Sequence, residues 1–222
     1  MSKYVLVPDS FKGTMTSREI CEIMQHAIER IDSDAKIISV PVADGGEGSV
    51  DAFLSALGGK RKAITVTGPH FEKLSSSYGI TDDGTAVIEM SACAGLPLVY
   101  GKKNPELTTT YGVGELICNA ARSGAKRIVI GLGGSATNDG GCGAVAAAGI
   151  KFYDKSGKSF IPVGRTLKDI ASIDYSGLDS ALSGVSISAM CDVDNPLLGE
   201  TGAANVFGPQ KGANVAMIAR LD

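Results

Sequence analysis

The sequence predicts an α/β protein with a Rossmann-like parallel sheet in residues 1–67 and a second α/β domain with a mixed sheet in residues 68–222. Three observations predict it. Short β-branched runs alternate with an amphipathic helical pattern over the first 67 residues. A hairpin pattern then replaces that rhythm after Gly68-Pro69. Glycine-rich loops follow the strands instead of interrupting them.

Tyr4-Val5-Leu6-Val7 reads as a buried parallel strand that stops at Pro8-Asp9-Ser10. Thr16 and Glu19 make a capping box, and Ile20, Ile23, Met24, Ala27, Ile28 and Ile31 recur at helical spacing as one apolar face. Residues 36–42 give the next strand, 50–57 a helix and 61–67 a third strand. Runs at 76–80 and 86–90 flank Asp82-Asp83-Gly84 as an antiparallel hairpin. Thr108-Thr109-Thr110 caps a helix over 111–122, and 127–130 and 187–190 are strands. A helix opens at Val215.

Composition narrows the function. The formal net charge is −3 with no dense basic stripe, which argues against nucleic acid as a partner. No apolar stretch is long enough to span a bilayer, so no membrane partner is expected. Five cysteines without a C-x-x-C pair read as reduced thiols in a cytoplasmic protein. The 29 glycines have no fixed period and gather at the ends of apolar runs, where backbone can approach a ligand closely.

Open α/β sheets gather ligands at the carboxyl ends of their strands, and the loops there carry the candidate chemistry. Asp9, Ser10 and Lys12 follow the first strand, and a lysine there holds phosphate or carboxylate. Asp44, Gly45, Gly46 and Glu47 follow the second, with carboxylates suited to Mg²⁺ or a substrate hydroxyl. Thr109 and Thr110 offer amides at a helix start to an anion. Gly131-Leu132-Gly133-Gly134-Ser135-Ala136 fits G-x-G-x-x-A, with Asp154 about twenty residues on, a dinucleotide-binding pattern. The following Thr137-Asn138-Asp139-Gly140-Gly141 and Gly143 load a helix start with glycine at roughly 1 kcal/mol each. A long irregular loop is the better reading: its amides and the Ser135 and Thr137 hydroxyls cradle an anion, and Asn138 and Asp139 point at a metal or hydroxyl. Asp192 and Asp194 hold Mg²⁺ or accept the proton of an attacking hydroxyl. The sequence leaves open which does which.

Other chemistries lack their parts. His26 and His70 are the only histidines and no G-x-S-x-G elbow occurs, so a Ser-His-Asp hydrolase is not expected. No zinc-ligand cluster and no P-loop signature are present.

Six blocks together resemble the bacterial glycerate kinases in order and along the whole chain. They are residues 8–13 (PDSFKG), 41–48 (PVADGGEG), 108–112 (TTTYG), 133–141 (GGSATNDGG), 191–197 (CDVDNPL) and 207–213 (FGPQKGA). The resemblance implies two α/β domains around a cleft, and ATP plus glycerate giving phosphoglycerate, usually 2-phosphoglycerate. The mechanism expected from the residues is in-line transfer from Mg²⁺·ATP to a glycerate hydroxyl, with Ser135, Thr137 and the glycine-loop amides on phosphate and Lys12 neutralising charge. Members of that family continue beyond where this chain stops, so the first sheet is expected to lack strands and expose an edge. Two rivals stand beside this reading: a non-catalytic chain that binds ligand or forms a homodimer through the incomplete sheet, and a nicotinamide-dependent oxidoreductase.

Overall fold

The computed structural model describes residues 1–11 and 14–222. Strand β1 (Lys3–Leu6) pairs in parallel with β2 (Lys36–Ser39), Lys3 opposite Lys36 and Leu6 opposite Ser39, with α1 (Ser17–Glu29) between them in sequence. The helix starts where the sequence places it: Glu19 N–H donates to Thr16 Oγ1 at 3.2 Å, and Thr16 N–H donates to Glu19 Oε2 at 2.7 Å. Its apolar face differs from expectation. Ile20 is buried, but Ile23 is 57 % and Ile31 90 % exposed, and β1 buries only Leu6. Two strands and one crossover helix offer too little area to cover both faces, so helical periodicity does not translate into burial here.

After α2 (Ser49–Leu57), β3 (Lys60–Thr67) departs from the predicted parallel sheet. It runs antiparallel to β4 (Lys73–Ile80) along its full length, from Lys60 opposite Ile80 to Thr67 opposite Lys73. The cause is the short return at residues 68–72, closed by Gly68 N–H to the Glu72 carbonyl at 2.7 Å; a tight turn joins antiparallel strands, whereas a parallel pair needs a long crossover. The boundary expected between residues 67 and 68 thus falls in the turn between two hydrogen-bonded neighbours.

The hairpin at Asp82–Gly84 forms as predicted, joining β4 to β5 (Thr85–Glu89), and is followed by α3 (Ser91–Ala94) and α4 (Tyr111–Arg122). Next come β6 (Arg127–Gly131), α5 (Cys142–Ala147), β7 (Lys151–Tyr153), β8 (Ser159–Phe160) and β9 (Ser172–Asp174). The chain closes with β10 (Ser186–Met190), α6 (Ala203–Phe207) and α7 (Val215–Leu221). The second sheet is five-stranded and mixed, in the order β10-β6-β5-β4-β3, with β10, β6 and β5 parallel. A third, antiparallel sheet has the order β8-β7-β9. The mixed α/β class predicted from sequence is therefore present.

The core lies between the five-stranded sheet and α4, where Val66, Tyr78, Ile88, Leu116 and Ile128 are buried. Tyr78 keeps its hydroxyl satisfied by donating to Asn119 Oδ1 on α4 at 2.8 Å. The register of the parallel strands matters most for function. Glu89, Gly131 and Met190, the last residues of β5, β6 and β10, stand abreast, so the loops that follow them leave from one edge. The carboxy-terminal helix is tied to this frame by fully buried Glu106, which accepts Arg220 Nε at 2.6 Å and Arg165 Nη2 at 3.2 Å.

Packing of α4 on α5 leaves no room at Gly114, where an added Cβ would run into the Ala144 carbonyl. The Gly114→Ala variant is expected to lose about 2 kcal/mol of stability by overpacking, read as a lower urea midpoint at unchanged slope. A wild-type midpoint in that variant contradicts the tight crossing.

Candidate active site

The edge formed by Glu89, Gly131 and Met190 meets the loop after β2. Gly133 N–H donates to the Gly45 carbonyl at 3.1 Å, and Leu132 N–H donates to the Met190 carbonyl at 3.3 Å. Backbone touches backbone here: a Cβ on Gly133 would lie 2.7 Å from the Gly46 Cα, and one on Gly131 would strike the Gly45 carbonyl. Only glycine permits this approach. The loops following β2, β6 and β10 thus converge, and they are the loops bearing Asp44, Ser135 and Asp192.

Each loop is held by its own bonds. Asp44 Oδ1 accepts Gly46 N–H at 3.0 Å, and Ser49 Oγ donates to the Gly46 carbonyl at 2.8 Å. Behind them, buried Glu89 accepts Val50 N–H at 2.7 Å, fixing the start of α2; burial raises its carboxyl above the ordinary range, with the Val50 bond opposing. Glu47 is exposed beside these groups. Near β1, exposed Asp9 accepts Ser10 N–H at 2.7 Å. Lys12 lies outside the described residues.

The segment from residue 132 to 141 contains no helix, and α5 starts only at Cys142. This agrees with the long irregular loop and removes the dinucleotide-binding pattern, which needs a helix opening directly on the glycine turn. Asp154, its acidic partner, instead caps a hairpin in the third sheet, accepting Ser156 N–H at 2.8 Å and Lys158 N–H at 3.1 Å. Gly134 has φ +70°. Among the described residues the amides of Gly134, Ser135 and Thr137 donate to no protein group. Adjacent unspent amides around a left-handed residue form a concavity suited to an anion.

Asp139 does not serve as the metal- or hydroxyl-facing group expected from sequence. It is 1 % exposed, and its carboxylate accepts Thr110 N–H and Thr110 Oγ1, both at 2.8 Å, and Gly141 and Gly143 N–H, both at 3.2 Å. Four donors occupy both oxygens, so it clamps the starts of α4 and α5 together. The threonines are likewise engaged inside: Thr108 Oγ1 donates to the Ala136 carbonyl at 2.9 Å, Thr109 Oγ1 accepts Tyr111 N–H at 3.1 Å, and Thr110 Oγ1 accepts Ala144 N–H at 2.9 Å. All three are buried. Thr109 and Thr110 therefore brace the 132–141 loop from behind instead of offering it a helix terminus, their amides donating to the Pro69 carbonyl and to Asp139. Asn138 is half-buried beside them.

Asp192 and Asp194 are exposed beyond β10, next to the converging loops, and Asn195 Nδ2 closes a turn by donating to the Thr201 carbonyl at 2.9 Å. No cluster of three metal-ligating side chains occurs among the described residues. Between the loops after β2 and β6, a cleft of about 510 Å³ is lined by Ser10, Thr14, Glu47, Ser91, Leu96 and Gly134.

One residue at the loop escaped the site reading. Lys211 Nζ donates to Ser135 Oγ at 3.0 Å and to the Thr137 carbonyl at 2.7 Å. It sits more than seventy residues away in sequence, within a block whose resemblance was visible but whose chemistry was not. Removing the clamp tests the architecture. Asp139→Ala leaves buried amides of Thr110 and Gly143 unsatisfied and is expected to cost about 3 kcal/mol or more, measured by denaturant unfolding.

The match to known proteins follows the same residues. Residues 4–222 match the glycerate kinase family. The chain is 49 % identical over 222 residues to the glycerate 2-kinase of Escherichia coli K12, covering 99 % of this chain and 58 % of that protein. It is 48 % identical to the glycerate kinase of Bacillus subtilis 168, again over 99 % of this chain and 58 % of the relative. A crystal structure of a Salmonella typhimurium LT2 protein described as a glycerate kinase 2 superposes with a TM-score of 0.86 at 44 % identity, over 100 % of this chain and 60 % of that one. The chain thus spans somewhat over half the length of the relatives it matches. With sequence blocks, fold and loop geometry in agreement along its length, the chain belongs to the glycerate kinase family.

Proposed function

We propose that this chain carries the phosphoryl-transfer site of a glycerate kinase, moving the terminal phosphate of ATP to a glycerate hydroxyl to give phosphoglycerate, with 2-phosphoglycerate as the product. The observation that carries this is the meeting of the loops after β2, β6 and β10 at one edge, fixed by Gly133 N–H on the Gly45 carbonyl at 3.1 Å. Phosphoryl transfer needs positioned charge and donors more than covalent help, and that edge offers both.

In this reading the amides of Gly134, Ser135 and Thr137 and the hydroxyls of Ser135 and Thr137 hold phosphate, while Gly133, bonded to the Gly45 carbonyl, and Asp139, Thr109 and Thr110 keep the loop in shape. Asp9, Ser10, Asp44, Gly45, Gly46 and Glu47 form the facing wall, where glycerate sits; Lys12, expected from the sequence to neutralise charge, lies outside the described residues. Asp192 or Asp194 accepts the hydroxyl proton. Both are hard oxygen donors of the sort Mg²⁺ takes one or two of alongside phosphate oxygens, so they suit the ion. Asp192 and Asp194 would hold the ion, which would supply neutralisation of the polyphosphate charge. We further take the β1–β2 unit and the five-stranded unit as the two domains flanking the cleft.

The compartment proposed is the cytoplasm. Cys21, Cys93, Cys118, Cys142 and Cys191 are all unpaired thiols, as a reducing environment allows. No helix among the described residues is long and apolar enough to cross a membrane.

A coupled assay of ADP release that requires both ATP and glycerate tests the reading. Asp192→Asn is expected to lower kcat by about 100-fold or more with an unchanged melting temperature, because a positioned general base contributes on that order. Undiminished turnover in the variant removes Asp192 from the chemistry, and glycerate-independent ADP release removes the substrate. The exposed apolar residues Val5, Ile23 and Ile31 favour a second reading, a homodimer contact at the two-stranded sheet. Light scattering at micromolar concentration is expected to give twice the chain mass if this holds; a monomer refutes it.

A further inference from the structure

The half-buried ammonium of Lys211 stands against the loop whose amides have no partner. Pro209–Lys211, a single 3-10 turn after α6, delivers it, and Gly212, at φ +94°, turns the chain away against Lys103. Two of its three donors are placed, on Ser135 Oγ at 3.0 Å and the Thr137 carbonyl at 2.7 Å. Neither partner is charged. Among the described residues Lys211 makes no ion pair, and the nearby Asp139 carboxylate is already occupied by four donors. A cation taken partly out of water without a counter-ion is costly unless an anion arrives to pair with it. The adjacent unspent amides of Gly134, Ser135 and Thr137 point to the same kind of visitor.

We propose that Lys211 is a phosphate-binding residue of this site, its ammonium bridging the two ends of the 135–137 loop and pairing with the polyphosphate of the nucleotide. This deepens the kinase reading and rests on it for the identity of the ligand. The sequence assigns that task to Lys12; here Lys211 supplies a charge at the 135–137 loop.

The acid–base behaviour of the group offers a second handle. Burial pulls the Lys211 ammonium down to about 8, and Asp139 opposes that shift. Lys103, the other cation packed against this turn, donates to the Gln210 carbonyl at 3.0 Å. The sign is direct: below this midpoint the lysine is charged and holds phosphate, and above it the charge is lost.

Titration calorimetry of the 222-residue chain with inorganic tripolyphosphate tests the proposal without requiring turnover. Lys211→Met is expected to weaken binding by about tenfold or more, the range of a charge-assisted hydrogen bond, and Lys211→Arg to stay within about threefold of wild type. Equal affinity in wild type and Lys211→Met overturns the proposal, as does a wild-type chain that does not bind tripolyphosphate. A comparison that does not depend on Lys211→Met folding is the pH dependence. Between about pH 7 and 9.5 wild-type affinity is expected to fall relative to Lys211→Arg, whose guanidinium stays charged while the ligand titrates identically. Parallel curves refute the role. Tripolyphosphate binding that depends on Lys211 without glycerate-dependent ADP release sinks the glycerate reading alone and leaves the anion grip in place.

Discussion

The approach of two glycine segments, Gly45-Gly46 against Gly131-Leu132-Gly133, is the constraint on which the candidate site depends. A side chain at these contacts would force the loops apart, since its first carbon would occupy the space of a facing carbonyl or Cα. Close packing of backbone also makes the hydrogen bond from Gly133 N–H geometrically available. Everything with chemical potential at the edge, from Asp44 to Asp192, takes its position from loops that leave this junction.

Around it the protein spends buried polar groups on shape. Asp139 and the three threonines at 108–110 form a closed network in which every named donor has an acceptor, as buried polarity requires. Glu89 does a similar task for α2, and Glu106 for α7 and the segment at Arg165. The 132–141 loop is the exception: among the described residues the amides of Gly134, Ser135 and Thr137 have no protein acceptor and Lys211 has no ion-pair partner. A rigid, satisfied frame that presents unsatisfied donors on one side is what electrostatic preorganisation demands, because donors that need not reorient cost nothing when charge develops.

The two parts of the molecule differ in how complete their packing is. The five-stranded sheet and α4 share a core with residues such as Tyr78, Ile88 and Leu116 fully buried. The β1–β2 unit shows Val5 and Ile38 to solvent, α1 shows Ile23, and the turn after it shows Ile31. The capping box of α1 forms regardless, because it needs only neighbours in sequence, whereas burial of the apolar face needs material from elsewhere.

Local order was legible without coordinates. The α1 cap, the span of α4 at Tyr111–Arg122, the hairpin at Asp82–Gly84 and the irregular course of 132–141 follow from side-chain spacing and glycine conformational cost, which act over a few residues. So did the family, through blocks of loop sequence. Three outcomes needed the tertiary structure: the transfer of β3 to the second sheet, the diversion of Asp139 from chemistry to clamping, and the arrival of Lys211 at Ser135. Each depends on which distant backbone lies alongside. A carboxylate or ammonium carries the same charge wherever it stands, and only its neighbours decide whether it is consumed by the fold or left for a ligand.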